Sequence, residues 1–306
     1  MKSLLGAFVA AFLLAVAPLT SSFAQAPTQL RFGLLPAEDP RLMVDQFAEI
    51  AAHVGKQLGL ATKVSVSESY NALIEAMRAG HLEVVYLGGS QYIKMLEIGM
   101  DPVPLVVNRD DERRTYYKSC IIARSDSDIK TYADLKGKTF AFVAPTSTSG
   151  GIAPGYLLLK NGIDPNKDLK RVVFTGKHDS VALAVKNAKV DAGAVGDVYF
   201  TRWQERGLFK MKKHDEANDQ LIESDLRIVG CVKVPNTVMV TRKAFGDDFV
   251  KKVQAAFMSV PENSAGKYRI WGPSTGFVAT THDDFKELIA MEKFAAQTTI
   301  KGEKAE

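Results

Sequence analysis

The sequence predicts an α/β protein built from two similar lobes that face each other across a cleft, each lobe a mixed sheet flanked by helices. Three observations carry this. Short apolar runs alternate with helical periodicity from Leu30 to Leu87, in β-α-β-α-β order. A second unit of the same build runs from Thr139 to Val195. The two units also echo each other. The helical stretch from Tyr70 leads into Leu82-Glu83-Val84-Val85-Tyr86-Leu87-Gly88, and the helical stretch from Asp179 leads into Val190-Asp191-Ala192-Gly193-Ala194-Val195-Gly196. In open α/β sheets ligands sit beyond the carboxyl ends of strands. Two lobes presenting those ends to one cleft make a clamshell that closes by a hinge motion.

Taken in order, Leu30 to Leu35 reads as a strand and Pro36 to Pro40 as a turn. The helix that follows carries Met43, Phe47, Ile50, Val54 and Leu58 at three- and four-residue spacing and ends at Gly59. Lys63 to Val66 is a strand. Glu68 or Ser69 caps a helix whose apolar face is Leu73, Ile74 and Met77. Val84 to Leu87 is a strand, Ser90 to Ile98 a helix, and Val103 to Val107 and Tyr116 to Ala123 are extended. In the second unit, strands are expected at Thr139–Val143, Arg171–Phe174 and Val190–Val195, with helices from Ile152 to Lys160 and from His178 to Val185. Arg227–Val232 and Thr237–Thr241 are extended. Helices over Asp247–Met258 and His282–Ala295 precede a Lys/Glu-rich tail from Lys301, read as a solvated end.

The first 26 residues read as a leader. Lys2 gives the charged start, Leu4 to Val16 the apolar run, and Ala24-Gln25-Ala26 the small residues of a cleavage site before Pro27. An exported, periplasmic protein follows. The formal charge is only +4 and no long Lys/Arg run occurs, which argues against nucleic-acid binding. No Gly-x-Ser-x-Gly elbow, His-Glu-x-x-His pair or phosphate loop appears, so an enzyme, a cofactor and a clustered metal site are not expected.

The chemistry concentrates where the Thr139–Val143 strand runs through Pro145 into Thr146-Ser147-Thr148-Ser149-Gly150-Gly151. A hydroxyl-rich turn that opens a helix is a cradle for a small oxyanion, because the first helical N–H groups lack internal acceptors and the dipole is positive there. Plain capping of the helix by Thr148 or Ser149 explains the same residues equally well.

A series of motifs extends along the chain: Tyr70-x-x-Leu73-Ile74-x-Ala76-x-x-Ala79-Gly80, Gly88 with Tyr92, Asp134-Leu135-Lys136-Gly137-Lys138, Ser147-Thr148-Ser149-Gly150, Gly176-x-His178-Asp179, and Val234-Pro235-Asn236. In this order they resemble the phosphonate/phosphite-type periplasmic substrate-binding proteins over nearly the whole mature chain. The resemblance implies a type II periplasmic-binding-protein clamshell, with residues 27–122 and 234–306 in the first lobe and 123–233 in the second. It implies a monomer that holds its ligand between the lobes. Ser147, Thr148 and Ser149 would grip the oxygens, with Tyr70, Tyr92, His178 and an acidic residue at Asp197 or nearby.

Cys120 and Cys231 depart from the pattern of transport-type relatives. Three readings of the pair stand open: a disulfide, as exported proteins commonly form; thiol ligands for a soft centre; or two inert buried thiols. With thiols in the cleft, the chain resembles the arsenite-sensing (AioX-type) branch, in which Cys120, with or without Cys231, would hold trivalent arsenic and occupancy would be signalled to a membrane histidine kinase. The alternative is a phosphite or phosphonate carrier that serves an ABC permease.

Overall fold

The computed structural model describes residues 27–110, 112–261 and 276–304. The expected leader, residues 1–26, lies outside the described residues. Each of two six-stranded sheets forms the centre of one lobe.

In the first lobe β1 (Gln29–Leu34) pairs in parallel with β2 (Ala61–Val66) and β3 (Val84–Leu87). Beyond β3 lie β12 (Val238–Arg242), β4 (Pro102–Arg109) and β13 (Gly276–Ala279), all antiparallel to their neighbours. Val84 to Leu87 is buried on both faces, so it reads as a continuous apolar run rather than an alternating one. Helix α1 (Pro40–Leu58) is capped by Asp39, whose carboxylate accepts from the amides of Arg41 and Leu42. It ends where Gly59 turns left-handed at φ 67°, a conformation that costs glycine nothing. Its Phe47 meets Phe32 of β1 edge-on at 5.3 Å, and Phe32 in turn meets Phe257 of α7 (Asp247–Met258) at 6.2 Å. Burial of each such ring contributes about 1.5–3 kcal/mol. Helices α2 (Tyr70–Arg78) and α3 (Gly89–Glu97) complete the lobe.

The second lobe repeats the plan. In the middle β6 (Thr139–Phe142) pairs in parallel with β7 (Arg171–Phe174) and β8 (Ala192–Gly196), while β5 (Tyr116–Arg124) and β11 (Leu226–Pro235) cross antiparallel at one edge. Helices α4 (Ala153–Lys160), α5 (His178–Lys186) and α6 (Phe200–Glu205) flank it. A hairpin of β9 (Lys213–Asp215) and β10 (Gln220–Ile222) is separate. The sequence signals missed that hairpin, α6, β13 and a short last strand β14 (Glu303–Lys304), all of four residues or fewer except the six-residue α6, which is too short for a helical period to register.

Two expected boundaries move. All of β5 belongs to the second sheet, so the chain leaves the first lobe between Arg109 and Tyr116 and not after residue 122. The C-terminus does not stay in the first lobe either. From Ala279 it runs through α8 (Lys286–Ala295), which packs on both α3 and α4, to β14 (Glu303–Lys304), paired with Val173 and Phe174 at the edge of the second sheet. The tail from Lys301 is therefore tied by backbone hydrogen bonds at its far end.

Candidate ligand cleft

The hydroxyl turn is shaped by close backbone approach. After β6 the chain doubles back: the Val143 amide donates to the Gly150 carbonyl at 2.7 Å and the Ser147 amide to that of Ala144 at 3.1 Å. A Cβ on Gly151 would lie 2.1 Å from the Ala144 oxygen, and one on Gly150 would lie 2.2 Å from Val143 Cγ2. Both positions require glycine. Ser147, not Thr148 or Ser149, is the cap, its Oγ accepting from the Gly150 amide at 3.2 Å. The first turn, Thr148–Ile152, is widened to π spacing, with the Ile152 amide reaching back to the Ser147 carbonyl at 2.9 Å. Such widened turns are frequent at functional sites.

The three hydroxyl residues are all buried but differ in task. Thr148 Oγ1 accepts from the Ser90 amide of α3 at 3.0 Å and so bolts one lobe to the other. A Cβ on Gly88 would come within 2.5 Å of that oxygen, so Gly88 is what lets the lobes meet here. Gln91 adds a second bolt by donating to the Thr146 carbonyl. Ser149 faces β5: Tyr117 donates its hydroxyl proton to Ser149 Oγ at 2.9 Å, and Ser119 Oγ donates to the Ser149 carbonyl at 2.8 Å.

Tyr70, at the start of α2, comes to the same place from the first lobe. Its hydroxyl is buried against the Ser147 side chain, close enough to interact with it but in no well-formed hydrogen bond. Burial pushes its pKa, and that of Tyr117, well up, so both are neutral donors. His178 opens α5, and its amide donates to the Ala37 carbonyl of the first lobe at 3.1 Å. Its Nδ1 accepts from the Gly196 amide at 3.3 Å, which leaves the proton on Nε2. Burial lowers the imidazole to about 3, so it is a neutral donor too. Tyr199 lies against it, the ring centres 4.7 Å apart. Asp197 follows β8, but its Oδ1 accepts from the Lys118 amide at 2.9 Å, and burial pushes its carboxyl up to about 7. It braces β5 rather than joining the hydroxyls. Tyr86 is buried in β3, where its hydroxyl accepts from Asn108 at 3.3 Å.

Two further expectations need correction. Tyr92 is not brought to the turn. One step along α3 from Gln91 rotates a side chain by about 100°, and Tyr92 instead meets His282 Nδ1 at 3.2 Å and Phe285 at 5.0 Å between ring centres. Nor are Cys120 and Cys231 free thiols. They stand opposite each other in the β5–β11 register and are joined as a disulfide. Side chains alternate along a strand, and Tyr117 and Ser119 are the β5 residues that touch Ser149. Cys120 therefore points from the opposite face, into the core, and the arsenic site expected from the two sulfurs has no donor.

Sequence reasoning missed Tyr117, Ser119, Tyr199 and Gln91. For the first two a signal existed, a hydroxyl at alternate positions of one strand. Tyr199 and Gln91 carry none without the fold.

Two α/β lobes closed on a cleft of buried neutral donors define a substrate-binding protein fold. The chain belongs to the family described as "ABC transporter, phosphonate, periplasmic substrate-binding protein", whose model matches residues 32–285. It is 30% identical over 179 residues to the phosphate-import protein PhnD of Mycolicibacterium smegmatis, covering 56% of each chain. It is 28% identical over 254 residues to the phosphonates-binding periplasmic protein of Escherichia coli, covering 80% of this chain and 71% of that one. Among solved structures, the binding protein component of an ABC phosphonate transporter from Pseudomonas aeruginosa superimposes with a TM-score of 0.74 at 21% identity, covering 88% and 86% of the two chains. PhnD1 of Prochlorococcus marinus, solved with methylphosphonate, gives 0.68 at 21% identity, covering 87% and 97%. Membership of a periplasmic binding-protein family implies export. Among the described residues no helix is long and apolar enough to cross a membrane.

Proposed function

We propose that the chain binds a small phosphonate- or phosphite-type oxyanion between its lobes and presents it to an ABC permease. The observation that carries this is the buried hydroxyl of Tyr70, which reaches the Ser147 side chain of the other lobe in no well-formed hydrogen bond, near Ser149, Tyr117 and the neutral imidazole of His178. An unpartnered buried hydroxyl costs about 1–3 kcal/mol, and a ligand oxygen placed there would offset that cost. Ser147 and Ser149 supply further hydroxyl contacts, and the opening turn of the helix supplies N–H groups and a positive dipole end. Hydrogen bonds to an ionised oxygen are roughly twice as strong as neutral ones. Tyr70 comes from one lobe and the hydroxyl turn from the other, so the full set exists only when the lobes are closed, and the ligand selects that state.

The relatives support the ligand class: one is named for phosphonates, one for phosphate import, and one is solved with methylphosphonate. The arsenite reading, and with it the histidine-kinase partner, depended on a free thiol that the disulfide removes. Calorimetric titration of the oxidised mature protein with methylphosphonate, phosphite, phosphate and arsenite tests the proposal. Saturable binding of one or more of the phosphorus oxyanions is expected. Binding of arsenite alone would overturn it.

A further inference from the structure

One buried charge cluster lies outside the cleft donors and still joins the two lobes. Glu38, in the turn after β1, is 1% exposed. Its Oε1 accepts from the indole Nε1 of Trp203 at 2.7 Å, and its carboxylate pairs with Arg202 and, at 3.4 Å, with Arg206. All three partners belong to α6 or the residue after it, in the second lobe. The turn that holds Glu38 is itself rigid, because Ala37 accepts from the His178 amide and Asp39 caps α1.

The cluster is connected to the cleft. Trp203, fully buried, stacks on Tyr199 with ring centres 5.3 Å apart and planes 17° from parallel. Tyr199 lies against His178 at 4.7 Å. A column therefore runs from a first-lobe carboxylate through Trp203 and Tyr199 to the His178 imidazole.

We propose that Glu38 is a positioning residue for ligand binding: it latches the second lobe shut through Trp203 and Arg202 and thereby sets the orientation of His178. This rests on the binding reading above for its ligand but not for its latch. A carboxylate and a guanidinium are both buried at low cost only while paired, and removing one partner leaves the other buried and uncompensated. When the lobes part, both return to water. Loss of the Glu38 charge consequently disfavours the closed state without touching any cleft donor.

The experiment compares wild type, Glu38→Gln, Trp203→Phe and Glu38→Asp. Circular dichroism establishes that each variant is folded, and Trp203→Phe removes only the indole donor while keeping an aromatic ring in the stack. Small-angle scattering of ligand-free protein reads the latch itself. Glu38→Gln is expected to be more extended than wild type, and Glu38→Asp intermediate. Titration with methylphosphonate reads the coupling. Glu38→Gln is expected to weaken binding roughly 5- to 150-fold, the range of ordinary site-to-site coupling, and its effect should be non-additive with His178→Phe. Unchanged scattering overturns the latch, whatever the affinity. Weaker binding that is strictly additive with His178→Phe overturns the positioning of the imidazole. If wild type binds no phosphorus oxyanion, the binding reading fails while the scattering comparison still decides the latch.

Discussion

The Gly196 amide donates to Nδ1 of His178 across 3.3 Å, and that one contact decides what the imidazole offers the cleft. With Nδ1 an acceptor, Nε2 carries the proton. Nitrogen NMR should show a single neutral tautomer. His178→Phe should keep the stack on Tyr199 but weaken oxyanion binding about tenfold or more, the worth of a hydrogen bond to a charged group.

The same residue sets a pH dependence. Its folded-state pKa is lowered from 6.5 to about 3 by burial, so the unfolded chain binds more protons between those values. Its effect on stability is therefore absent above the unfolded value, and stability falls as pH drops from 6.5 towards 3. Urea unfolding at about pH 7.5 and about pH 4.5, on either side of the unfolded pKa, should show this loss. It should shrink in His178→Phe.

Tyr70→Phe separates stability from binding. Its hydroxyl is buried against Ser147 with no well-formed hydrogen bond in the ligand-free protein, so its removal should change stability by no more than about 1 kcal/mol. Affinity for the oxyanion should fall about tenfold. Thermal melts with and without methylphosphonate check both halves, and a variant that melts lower while binding normally would refute the assignment.

Reduction of the Cys120–Cys231 bond, which closes a separation of 111 residues, should cost about 2–4 kcal/mol of stability. Oxyanion affinity should persist, because Cys120 faces the core and the cleft side of β5 is carried by Tyr117 and Ser119. Paired titrations of oxidised and reduced protein give the comparison.

Two glycines should fail in different ways. Gly151→Ala brings a methyl against the Ala144 carbonyl, a backbone atom that has no rotamer to escape into, and should lower stability by about 2 kcal/mol or more and abolish binding. Gly88→Ala meets the Thr148 side chain of the opposite lobe. The same methyl lies 2.8 Å from Gln91 Oε1, a side-chain end that can shift, so the melting temperature should fall less than in Gly151→Ala, while binding weakens and the ligand-bound form is more extended by scattering.

The sequence alone determined the two-lobed α/β plan, the strands at Val84–Leu87 and Arg171–Phe174, the helix at Asp247–Met258 and the hydroxyl turn with its two glycines. These are written in local period, in turn chemistry and in residues such as Gly59 whose backbone conformation few others adopt. The tertiary structure decided which hydroxyls meet. Tyr117 and Ser119 join Ser149 because β5 enters the second sheet, Tyr92 turns to His282 because of its angle on α3, and Cys120 finds Cys231 through strand register. Glu38 and Trp203, 165 residues apart in the chain, meet only when the lobes do. Local periodicity specifies a face and a length, whereas register, helix rotation and lobe closure depend on partners far away in the chain, and no window of sequence contains both halves of such a contact.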